Sequence, residues 1–76
     1  MARNNSVLFY NLESELARAG ISKSDLASII GISVSAIYAK MSGVRSFKLG
    51  EVKMITRYLS IATDKNLTIE YLFETD

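Results

Sequence analysis

The chain of 76 residues has no cysteine, no histidine, no proline and no tryptophan. Without cysteine there are no disulfides, thiolate metal ligands or thiol nucleophiles. Without histidine the commonest general base at neutral pH is gone, together with the other common zinc ligand. Ten serines could in principle pair with a lysine, but so short a chain offers little enclosed pocket, and no phosphate-cradling glycine loop is present. These absences argue against an enzyme and lead us to expect neither metal nor cofactor. Long apolar runs are missing too, and Met1-Ala2-Arg3-Asn4-Asn5 lacks the apolar stretch of a signal peptide. The expectation is a soluble, cytoplasmic protein with no membrane partner.

What remains suits one small helical domain over residues 1–76. Apolar residues make up 49% of the chain, enough to bury a core, although a domain this size hides only about 60% of its unfolded surface. The formal net charge is +1, but the charge is unevenly placed. From Arg18 to Arg57 seven basic residues face two acidic ones, whereas the remainder carries two basic and six acidic residues. The middle of the chain is therefore suited to a polyanion and the two ends are not.

With proline absent, the glycines Gly20, Gly31, Gly43 and Gly50 are the punctuation. Ser6 is a candidate cap for a first helix with Phe9, Leu12, Leu16 and Ala19 on its apolar side, and Glu13 and Glu15 toward solvent. A second helix has a clear start, with Ser22 and Asp25 as a capping box and Ile21 and Leu26 as a hydrophobic staple, and it stops at Gly31. The pattern then repeats, with Ile32 as staple, Ser33 as cap and Ile37 as the staple partner. In this third helix Val34, Ile37 and Met41 point one way, and Ser35, Tyr38, Ala39 and Ser42 another. A fourth helix is predicted from about Glu51 to Ile61. It has an apolar stripe of Val52, Ile55, Leu59 and Ala62 and a second of Met54, Tyr58 and Ile61, so it needs two neighbours. Residues 67–73 fit either a helical turn capped by Thr68 or an alternating strand, and the helical turn is favoured.

Two short helices joined by a glycine-centred turn, the second with a partly polar outer face, is the arrangement that lays a helix into the major groove of DNA. The segment Ile21-Ser22-Lys23-Ser24-Asp25-Leu26-Ala27-Ser28-Ile29-Ile30-Gly31-Ile32-Ser33-Val34-Ser35-Ala36-Ile37 resembles the helix-turn-helix of the lambda repressor and Cro family. Ala27 stands four residues before Gly31, Ile37 six after it, and Gly43 lies beyond. Farther on, Lys40-Met41-Ser42-Gly43 and Ser46-Phe47-Lys48-Leu49 resemble small repressor-like proteins from phages of Gram-positive bacteria. The likeness covers roughly residues 7 to 73 and departs at Lys40, where the family usually has an apolar residue. Met41 is expected to take the inward role there.

The resemblance implies an all-α, lambda-repressor-like fold, a compact four- or five-helix bundle with its helix-turn-helix at about 22–42. The implied function is a sequence-specific, DNA-binding transcriptional regulator that inserts the helix of residues 33–42 into operator DNA. It further implies that Ser33, Val34, Ser35, Tyr38 and Ala39 approach bases, while Lys23, Lys40, Ser42, Arg45 and Lys48 approach phosphates. The placement of that second set agrees, since it brackets the third helix. The base-facing set has no arginine, asparagine or glutamine for bidentate contacts. Val34 or Ala39 suits a thymine methyl, and for Val34 core packing is an equal alternative. Met54, Tyr58, Ile61, Ile69, Tyr71 and Phe73 are candidates for a homodimer or partner-repressor interface, with internal packing the somewhat favoured alternative. The poor base-reading chemistry and the abundant apolar surface favour a second functional reading, a protein-interaction module that binds a partner repressor and modulates it with the same helix-turn-helix as its docking face; a toxin-neutralising role ranks third.

Overall fold

The computed structural model describes residues 7–75, and these form five helices: α1 (Tyr10–Ala19), α2 (Lys23–Ile30), α3 (Val34–Met41), α4 (Leu49–Thr63) and α5 (Ile69–Leu72). There is no strand among the described residues, so the fold is an all-α bundle. α4 packs against α1, α2 and α5, α5 also against α1, and α2 against α3.

The helix boundaries follow local hydrogen bonding. Ser22 Oγ accepts the Asp25 N–H at 3.0 Å and Asp25 Oδ2 accepts the Ser22 N–H at 3.1 Å, closing the expected capping box. α2 ends at Gly31, whose φ of 77° is left-handed, and the Ile32 N–H reaches back to Ala27 O at 2.9 Å. Ile32 is thus the apolar residue that follows α2 and the one that precedes the cap of α3. Ile21 serves the α1–α2 corner in the same way, its N–H donating to Leu16 O at 2.9 Å. Ser33 caps α3, accepting the Ala36 N–H at 3.0 Å. Thr68 caps a helical turn, not a strand, accepting the Tyr71 N–H at 3.1 Å.

Two starts differ from the expectation. α1 begins at Tyr10 with Phe9 in the cap position and no side-chain cap; the proposed cap Ser6 lies outside the described residues. The entry is held instead by aromatic packing. Phe9, Phe47 and Phe73 form a triangle of edge-to-face contacts with centroids 5.2 to 5.7 Å apart, a geometry the ring quadrupoles favour. α4 begins at Leu49, two residues early, so Gly50 lies inside its first turn and does not end an element. Glu51 explains this, because its Oε1 accepts the Lys48 N–H at 2.9 Å and so satisfies a donor exposed at the helix start.

The core joins Leu12 and Leu16 of α1, Leu26, Ala27 and Ile30 of α2, Ile37 and Met41 of α3, Ile55 and Leu59 of α4, and Leu72 of α5. Each fully buried leucine or isoleucine contributes about 1.5–3 kcal/mol. Ala27 is buried where α2 meets α3, and its single methyl lets the two helices approach. α4 uses only one apolar face: Ile55 and Leu59 are buried, Ala62 is exposed, and Met54, Tyr58 and Ile61 stay outside. Three helices pack against α4, but together they cover only the side of Ile55 and Leu59, so the favoured internal packing of the Met54, Tyr58 and Ile61 stripe is overturned.

Candidate nucleic-acid interface

α3 turns Ser33, Val34, Ser35 and Tyr38 to solvent, while Ala39 is half-buried behind them. Val34 is 47% exposed, which corrects its assignment to the inward row with Ile37 and Met41. It occupies the first position of the helix, next to the Ser33 cap. Two of the serines have their hydroxyls engaged. Ser33 Oγ serves as the cap already described, and Ser42 Oγ donates to Ala39 O at 3.1 Å.

Lys23, on the first turn of α2, reaches this face. Its Nζ lies 5.2 Å from the Tyr38 ring centroid and 3.3 Å from Glu13 Oε2 of α1. At the other end of α3 the chain folds back, with the Gly43 N–H donating to Lys40 O at 3.2 Å and the Arg45 N–H to Ala39 O at 3.2 Å. Arg45 and Lys48 are exposed there. Lys23 therefore borders the outer face of α3 beside Tyr38, Ser42 and Arg45 stand at the end of the helix, and Lys48 is exposed three residues beyond Arg45.

Lys40 does not belong with them. Its side chain is 3% exposed and its Nζ sits 2.6 and 2.8 Å from the two carboxylate oxygens of Glu51. Burial pushes the Glu51 carboxyl up, but the Lys40 hydrogen bond, the Lys48 N–H and the charges of both lysines outweigh it and hold the group below its ordinary 4.5. Lys40 and Met41 both point inward, so the position that departs from the lambda pattern is still an interior one. A lysine fits there because Glu51, one turn into α4, neutralises it.

A second buried carboxylate, Glu15, was expected at the surface and is fully buried. Lys65 Nζ lies 2.9 Å from its Oε1 and 3.0 Å from its Oε2, Tyr71 donates its hydroxyl to Oε2 at 2.8 Å, and Arg18 stands 3.7 Å away. Oε1 has the ammonium at ion-pair distance but no aligned donor hydrogen. Burial raises the Glu15 carboxyl, and the Lys65 and Tyr71 hydrogen bonds with the Lys65 and Arg18 charges more than reverse this, leaving it lowered from 4.5. The signal was available in the sequence, because Glu15 follows Leu12 by three residues and precedes Ala19 by four, on the apolar side of α1.

Of the candidate partner surface, Tyr71 is tied to Glu15, Phe73 belongs to the aromatic triangle and Ile69 is half-buried. Those three hold α5 to the bundle; Met54, Tyr58 and Ile61 remain outward. Sequence reasoning did not single out Val44 and Leu49, which are 80% and 66% exposed beside Arg45 and Lys48. Among the described residues no helix is long and apolar enough to cross a membrane.

Neither the curated proteins nor the solved structures yield a match to this chain. The family model of the BetR domain matches residues 3–71, and the chain therefore belongs to the BetR domain family.

Proposed function

We propose that this BetR domain is a sequence-specific, DNA-binding regulator of transcription, of phage repressor or Cro type, acting in the cytoplasm without catalysis or cofactor. In this reading α2 and α3 are a helix-turn-helix and α3 enters the major groove of an operator. One observation carries it: α3 is joined to α2 through the Gly31 turn with its outer face uncovered, and Lys23 and Arg45 are brought to the border of that face. Phosphate contacts fall to Lys23, Arg45 and Lys48, with Ser42 beside them, and base contacts to Ser33, Val34, Ser35, Tyr38 and Ala39.

The test is a titration against the upstream intergenic DNA and a scrambled duplex at several salt concentrations. Three phosphate-facing cations per subunit give a log–log slope of about −3 for a monomer and about twice that for a dimer. Sequence-selective binding with such a slope supports the reading; no binding at low salt refutes it.

A second reading, a module that binds a partner repressor, is favoured by the outward stripe of Met54, Tyr58 and Ile61. Ile61→Lys separates the two. It leaves α3 untouched, so it preserves DNA binding by a monomer and abolishes capture of a partner repressor.

A further inference from the structure

The groups on the outer face of α3 define what it can recognise. The Ser33 and Ser42 hydroxyls are engaged by backbone groups at the two ends of the helix. Between them stand Val34, Ser35 and Tyr38, with Val34 47% and Tyr38 53% exposed. The helix has no arginine, asparagine or glutamine, and its one lysine is buried against Glu51. Lys23 Nζ, 5.2 Å from the Tyr38 ring centroid, keeps a cation beside that ring.

In the major groove guanine offers two acceptors suited to arginine or lysine, adenine an acceptor–donor pair suited to asparagine or glutamine, and cytosine a donor suited to a carboxylate. α3 exposes none of these partners. Thymine alone presents an apolar group, its 5-methyl, and an isopropyl group with an aromatic ring one turn away matches that chemistry.

Resting on the DNA-binding reading above, we infer that the duplex selected by this domain is A·T-rich beneath α3, and that Val34 and the ring of Tyr38 read it through thymine 5-methyl groups. Ser35 and the Tyr38 hydroxyl supply the remaining polar contacts.

The experiment is selection from a randomised duplex library with the full chain, followed by replacement of each thymine of the selected site by deoxyuridine. That change removes the methyl and leaves pairing and charge intact. The expected result is a motif with fixed thymines, at one or two of which deoxyuridine weakens binding about fourfold, the loss of one buried methyl. In Val34→Ala or Tyr38→Ala, checked for native helicity, the thymine-to-deoxyuridine difference at the matching position disappears. A selected site centred on G·C pairs, or a site indifferent to deoxyuridine, overturns the inference and leaves sequence-specific DNA binding standing, whereas retention with no selected motif overturns both the inference and the sequence specificity. Failure to retain any duplex at low salt overturns the DNA-binding reading itself, and is seen before any thymine is replaced.

Discussion

At position 40 an ammonium group lies inside the bundle on two carboxylate oxygens, 2.6 and 2.8 Å away. Its removal is a matter of stability. Lys40→Ala leaves Glu51 without its counter-ion while the Glu51 side chain is still only 13% exposed, which costs about 3 kcal/mol and lowers the urea midpoint accordingly. Lys40→Met combined with Glu51→Gln recovers much of that loss, because it removes both charges together. Arg45→Ala, at an exposed position, leaves the midpoint nearly unchanged and reduces the salt slope of DNA binding by about 1. Gly31 is a second single-residue constraint. With φ at 77° and nothing within 4 Å of an added Cβ, Gly31→Ala meets only backbone strain, so it costs about 1–2 kcal/mol in chemical denaturation.

Between elements, two carboxylates with little exposure supply ties. Glu15 joins α1 to α5 and to the segment before it through Tyr71 and Lys65, and Glu51 joins α4 to α3 through Lys40. Both carboxyls are held below their ordinary 4.5 in the fold. A depressed folded value means the stabilisation is present above the unfolded value and is lost as pH falls through the folded one. Urea midpoints measured between neutral and strongly acidic pH therefore stay level above about 4.5 and drop below it. Glu15→Gln removes its share of that slope and leaves the share of Glu51. The Tyr71 hydroxyl, raised above 10.0 by donating to Glu15 and by burial, has the opposite sense. Its contribution is intact below that value and is lost in stronger alkali.

For the whole molecule, what matters is which of the central positive charges remain available. Lys40 is cancelled by Glu51, Arg18 leans on Glu15, and Lys23 is held by Glu13. Arg45, Lys48, Lys53 and Arg57 are exposed. Lys23 is therefore a proposed phosphate ligand that must leave a carboxylate to do its work. Under the proposed function, Glu13→Gln raises affinity for duplexes of any sequence by a few-fold at low salt, with the gain fading as salt screens the competing pair. Filter binding at two ionic strengths reads this directly; unchanged affinity at low salt would show that Lys23 does not meet phosphate.

The sequence by itself determined the features that depend on near neighbours. The Ser22–Asp25 capping box, the Ser33 and Thr68 caps and the left-handed stop at Gly31 all close between residues no more than five apart, so the local residue types suffice to specify them. Glu15 was readable by spacing on α1, although its charge argued the other way. Only the tertiary structure decided the rest. Lys40 meets Glu51 eleven positions away, Glu15 meets Lys65 and Tyr71 fifty and fifty-six away, and three phenylalanines converge from the start, middle and end of the chain. Periodicity marked two apolar faces on α4 but held no information about how many neighbours would arrive. The packing of α1, α2 and α5 covers one face, leaving Met54, Tyr58 and Ile61 in solvent, and the core ends short of Val34. Burial depends on which distant segments converge, whereas capping depends only on the next few residues.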